Sequence, residues 1–139
     1  MFGSNATTPR SYTEAKSFAP KMPVLLKPPK DDPISLDELN KCDGTDPSKP
    51  VLIAIKGTVF DVSRNSAYQP GGCYHVFAGK DPSRALAISS LKPEDCVPDW
   101  YDLEDMYKTV LSEWYTFLSK RYNIVGKVEG ANNLGSQWI

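Results

Sequence analysis

The chain is poor in the residues that build metal and redox centres: it has one histidine, His75, and three cysteines, Cys42, Cys73 and Cys96, with no CxxC pair. Structural zinc needs three or four converging Cys, His or acidic ligands, so it is a poor fit here. An odd number of isolated thiols suits reduced cysteines rather than a disulfide framework. Long hydrophobic runs are missing as well. The longest aliphatic run, 51–55, is far short of the roughly 20 residues that cross a bilayer, and the opening MFGSNATTPR has no apolar stretch behind a basic start. The expectation is a cytoplasmic protein with no transmembrane segment and no secretory leader. Charge of one sign is also lacking: 16 Lys and Arg stand against 17 Asp and Glu, so no overall field draws the chain to nucleic acid. Neither GxGxxG nor GxxxxGK[ST] occurs, which removes dinucleotide and P-loop chemistry.

What is present suffices for one domain. The 139 residues are 40% apolar and 11% aromatic, enough to bury a core. Half of the twelve prolines fall in residues 1–33, where fixed φ and missing donors oppose regular structure, so 1–33 reads as a flexible tail. Residues 1–30 hold five basic side chains (Arg10, Lys16, Lys21, Lys27, Lys30) against Glu14, which makes the tail +4 and the remainder −5. Five scattered charges read as a solvated arm that offers peripheral membrane contact at most.

Order is expected from Ile34. Ser35 and Glu38 have capping-box spacing, and Leu36 and Leu39 share one helical face, so a short helix opens the domain until Cys42-Asp43-Gly44. The β-rich run 51–55, the turn Lys56-Gly57 and the alternating 58–63 form a hairpin. Asp81 before Pro82 marks a helix start, with the helix running to about Ser89. Leu103, Met106, Tyr107, Val110, Leu111, Trp114, Phe117, Leu118 and Arg121 or Tyr122 recur at three- and four-residue steps, the stripe of a longer amphipathic helix. Residues 123–128 read as a closing strand, and 129–139 as a C-terminal tail without pattern. The acidic residues from Glu94 to Asp105 read as a solvated face. Strands alternating with short helices over 34–128 make an α+β domain with a small mixed sheet.

The loop 68–81, YQPGGCYHVFAGKD, gathers most of the polar handles, glycines and aromatics. Pro-Gly-Gly permits a sharp reversal that brings backbone close to a ligand, or simply a turn. Cys73 and His75, two apart, have the makings of a thiolate–imidazole pair without an orienting third group. Haem needs less, since one axial ligand can suffice inside an apolar cleft. Tyr74 is a candidate: a phenol with pKa near 10 is a poor donor alone, but ferric iron stabilises its phenolate. On the residues alone, a half-buried aromatic with its hydroxyl satisfied is the preferred reading of Tyr74.

The same loop resembles the membrane-associated progesterone receptor family, the steroid- and haem-binding branch of the cytochrome b5-like fold. The resemblance runs through Ile34-Ser35-Leu36-Asp37-Glu38-Leu39, residues 55–62, two tyrosines six apart at 68 and 74, the run VFAGKDPSR at 76–84 and KRYNIVGK at 120–127. The start of the domain and Ser-Leu-Lys-Pro-Glu-Asp look most like the fungal damage-response members. The resemblance implies a cytochrome b5-like haem cleft that holds haem b, ferric and five-coordinate, with Tyr74 as the axial ligand to iron. It puts Tyr68 on the haem face, Tyr122 at a third pocket position, and Arg121 where relatives often carry a lysine that can pair with a propionate or the phenolate. Lys120 is the substitute cation. It further implies sterol or steroid binding, support of sterol-modifying haem-thiolate monooxygenases, and peripheral contact with the endoplasmic reticulum through a partner or the basic tail. A haem-mediated homodimer is a further expectation, and the module is not itself expected to catalyse. The alternative is a haem-free sterol-binding or protein-interaction module. Two departures stand out. Gln69 occupies the first position of the His-Pro-Gly-Gly motif of electron-carrying cytochromes b5, and a single histidine excludes bis-histidine ligation within one chain. Cys73 and His75 flank Tyr74 and could compete for iron.

Overall fold

In the computed structural model, residues 25–134 are described. The N-terminal residues expected as most of the tail, and 135–139, lie outside them. The elements in order are strand β1 (Pro33–Ile34), helix α1 (Leu36–Lys41), strands β2 (Leu52–Ile55) and β3 (Thr58–Asp61), helices α2 (Ser83–Ala87) and α3 (Asp105–Ser119), and strand β4 (Ile124–Val128). Short 3-10 turns at Ser66–Tyr68, His75–Phe77 and Pro93–Asp95 fill the long connections. The sheet order is β1-β4-β3-β2; β1 runs parallel to β4 and the other pairs are antiparallel, so the expected α+β class with a small mixed sheet is the one observed.

The hairpin sorts the core into two. Residues along β2 alternate between faces: Ile53 and Ile55 enter the larger apolar cluster with Phe60, whereas Leu52 and Ala54 enter a smaller one with Val59. The register pairs like with like, Ile53 opposite Phe60 and Ala54 opposite Val59. Helix α1 covers the smaller side through Leu39, while α2, α3 and the tyrosine loop cover the larger one. The turn has positive φ at both central residues, Lys56 (52°) and Gly57 (78°), which suits a two-residue hairpin.

Several element boundaries depart from the sequence expectation. Ser35 Oγ does accept from Glu38 N (3.1 Å), yet Leu36 is exposed while Leu39 is buried, so one apolar residue rather than two anchors α1. Helix α2 stops at Ala87, two residues early, because Ser89 takes φ 59°. Helix α3 ends at Ser119, so Tyr122 follows the helix, its amide still donating to Leu118 O (2.9 Å). Pro33, which sequence reasoning kept out of the sheet, sits in edge strand β1, where a missing N–H is tolerated. Residues on both flanks of 34–128 bond to the domain: Lys30 N donates to Ile124 O (3.0 Å), and buried Asn133 donates to Asp81 Oδ2 (2.9 Å).

The hairpin turn also buries a cation. Lys56 is 3% exposed; its Nζ reaches Ser112 Oγ at 3.2 Å and lies 5.0 Å from the Trp100 ring centroid. Burial pulls its pKa down to about 8. Between about 8 and the ordinary value of 10.5 the unfolded chain therefore binds the extra proton, and folding stability rises with pH across that window. Lys56→Met is expected to flatten that rise and to gain about 2 kcal/mol at neutral pH, the desolvation relief being partly offset by the lost cation–π contact. Urea midpoints of the two proteins from neutral to alkaline pH check it; parallel profiles would contradict it.

Candidate functional site

The tyrosine loop is built from its backbone outward. Asn65 Oδ1 accepts from Ala67 N (2.9 Å) and caps the turn Ser66–Tyr68, which turns the Tyr68 ring inward until it is fully buried. Gly71 then takes φ 88°, and the chain doubles back so closely that a Cβ on Gly72 would lie 2.2 Å from Ala67 O. No side chain fits there without moving backbone. The reversal is locked by Tyr74 N donating to Ala67 O (2.8 Å). It brings the Tyr74 ring centroid within 5.6 Å of that of Tyr68.

Around this pair the larger core supplies walls. Tyr74 stacks on Phe77 (5.8 Å, 28°) and meets Trp114 of α3 edge-on (5.9 Å, 81°), while Tyr122 meets Tyr68 edge-on at 6.4 Å. Tyr74 is only 7% exposed. The three tyrosines singled out from sequence thus share one cluster. Of the two cations, Arg121 Cζ lies 5.3 Å from the centroid of Phe117, a ring packed against the same core, and Lys120 is exposed at the C-terminal cap of α3. Beside Tyr74, Cys73 is exposed, and His75 Nε2 is 2.9 Å from Asp43 O, the geometry of a ring N–H donating to a carbonyl. Among the described residues no three His, Cys, Asp or Glu side chains converge on a metal position.

Three neighbours were not singled out as site residues. Phe77 lies unremarked in the aromatic loop and Trp114 in the core-facing stripe of the long helix; both belong to the larger core cluster. Asn65 was missed: its Nδ2 donates to Tyr122 OH (2.8 Å) across 57 residues, while its Oδ1 caps the turn carrying Tyr68. The signal for the cap was an Asn just before the turn; nothing local announced Tyr122. Asn65→Ala is expected to lose about 2 kcal/mol in a urea melt, and Tyr122→Phe, which keeps the cap, about half as much. Equal losses in the two variants would deny the double role.

A family model described as "Cytochrome b5-like Heme/Steroid binding domain" matches residues 35–124. Rice membrane steroid-binding protein 1 is 43% identical over 123 residues, covering 87% of this chain and 50% of that protein. Neuferricin of Xenopus tropicalis is 38% identical over 98 residues, covering 70% of this chain and 36% of the relative. The chain therefore spans half or less of these curated relatives. A solved Arabidopsis thaliana structure, described as having a cytochrome b5-like fold, superposes with a TM-score of 0.65 at 39% identity, over 71% of this chain and 92% of that one. With the tyrosine loop, the small mixed sheet and these relatives in agreement, the chain belongs to the cytochrome b5-like haem/steroid-binding family, in its membrane-associated progesterone receptor branch.

Proposed function

We propose that the tyrosine cluster is a haem site in which Tyr74 supplies the axial oxygen. The observation that carries this reading is the pairing of Tyr74 with Tyr68 inside aromatic walls, on a loop whose reversal leaves no room for any residue but glycine at position 72. The donor chemistry fits: phenol oxygens backed by ring faces suit one oxidised iron and a flat apolar macrocycle. Bound haem would supply a ferric, five-coordinate centre. Tyr74 would hold the iron as phenolate, its proton passing to solvent, and Tyr68 and Trp114 wall its ring. Asn65 orients the Tyr122 hydroxyl. Arg121, with Lys120 as substitute, offers positive charge to a propionate or to the phenolate.

Such a module binds rather than catalyses, and phenolate ligation favours ferric iron over electron shuttling. Its expected role is to support sterol-modifying haem-thiolate monooxygenases, with pairing of two copies through an exposed haem face. Among the described residues no helix is long and apolar enough to cross a membrane; in this reading the module meets the endoplasmic reticulum peripherally, by surface contact or through a partner. Titrating hemin into the purified chain is expected to give a Soret band and the charge-transfer absorption of a high-spin ferric phenolate. A second reading, a haem-free sterol module, draws on relatives named for steroid binding. Saturable sterol binding with no Soret band would establish it instead.

A further inference from the structure

The most exposed large apolar side chain among the described residues is Leu25, 93% exposed, and the adjacent Leu26 is 38% exposed. These leucines are not on a free end. Lys27 N donates to Asn123 Oδ1 (2.8 Å), Lys30 N to Ile124 O (3.0 Å), and Lys127 N to Asp32 O (2.9 Å), so residues 27–32 run along β4 and fix where the leucines emerge. They emerge beside Asn123, directly after Lys120, Arg121 and Tyr122. Lys27, Lys30 and Lys120 are exposed and Arg121 is half-buried. Three carboxylates lie near: Asp31 and Asp32 further along the arm, and Asp61, whose amide donates to Asn123 O and whose Oδ1 is taken by Ser63. Two leucines and four cations thus gather at the end of the domain that holds the tyrosine cluster.

We infer that this end docks on an anionic lipid surface, with Leu25 and Leu26 entering the interface and Lys27, Lys30, Lys120 and Arg121 facing the headgroups. Apolar side chains flanked by basic ones give the two signals that reversible membrane binding needs. Docked this way, Tyr122 and the aromatic cluster it joins lie towards the membrane-bound end of the domain; any link to ligand uptake rests on the site proposed above, whereas the docking does not.

The test is co-sedimentation of the full chain with phosphatidylcholine vesicles, with and without about a third phosphatidylserine. Binding is expected only with the anionic lipid, and molar salt should release it. Leu25→Ser with Leu26→Ser is expected to lower partitioning about tenfold, and Lys27→Glu with Lys30→Glu by at least as much. Replacing Arg10, Lys16 and Lys21 with Gln should leave the leucine dependence in place. No preference for anionic vesicles, wild-type partitioning of the leucine variant, or binding that follows only Arg10, Lys16 and Lys21 would overturn the proposal. A hemin titration of the leucine variant separates the two readings: an unaltered Soret band shows an intact site that no longer docks.

Discussion

Replacing Tyr74 with phenylalanine is expected to weaken hemin binding by more than about 100-fold, since removing partners that merely orient a metal ligand already costs 10- to 100-fold. The substitution deletes one oxygen and keeps the ring, so the stacking on Phe77 and the edge contact with Trp114 remain. A melting curve of the variant run beside the titration separates loss of ligation from loss of fold: hemin binding should fall far more than the midpoint does. The neighbours supply the controls. His75→Ala gives up the bond to Asp43 O and should shift the melting midpoint modestly, without moving the absorption spectrum. Cys73→Ser alters an exposed thiol and should do neither. Tyr68→Phe should retain the band with reduced affinity. Unchanged hemin binding in Tyr74→Phe, or a spectrum altered only in His75→Ala, would move the iron to another donor.

The largest loss of stability is expected from Asp81→Ala. This carboxylate is 7% exposed and accepts from four donors: Gly57 N (3.0 Å), Asn133 Nδ2 (2.9 Å), Ser83 N (3.2 Å) and Ser83 Oγ (2.6 Å). It therefore joins the hairpin turn, the start of α2 and the chain after β4 at one point. Burial pushes its pKa up, but the converging donors leave no lone pair idle. Truncation strands those donors in an apolar setting at about 1–3 kcal/mol each, so a total on the order of 4 kcal/mol is expected, with Tm falling by roughly 15 °C. Asp81→Asn, which keeps the shape, should fall between. By contrast, Arg84 and Asp102 form a bidentate pair (2.8 and 3.2 Å) in which Asp102 is largely exposed and screened by solvent, and its loss should barely move the midpoint. An Asp81→Ala midpoint within 1 kcal/mol of wild type would contradict this ranking.

Much of this was legible because it is local. The Ser35 cap, the Lys56-Gly57 turn, the alternation along the hairpin and the Val110, Leu111, Trp114, Leu118 stripe are set by residues within four positions of one another. Tyr68 and Tyr74 are singled out by the loop and its resemblance to a family. What escaped was distant in sequence. Asn133 reaches Asp81 across 52 residues and receives Trp100 Nε1 across 33, and nothing in the Gly- and Asn-rich stretch after β4 distinguishes it from a tail. The arm beside β4 was hidden by its prolines, which forbid a central strand but permit an edge. Leu36 misled because helical periodicity states which residues share a side, not whether a six-residue helix is wide enough to bury both.

The tight packing of Tyr68 and Tyr74 carries a kinetic consequence. If Tyr74 holds haem as proposed, a planar molecule the size of a porphyrin has to reach a side chain that is 7% exposed and tied down by Tyr74 N donating to Ala67 O, so the packed loop would have to open locally first. Loading would then be limited by how often the loop opens, and the observed rate should level off as hemin is raised instead of climbing in proportion. The same opening step would make release slow, so a chain once charged would behave as a reservoir rather than a rapid exchanger.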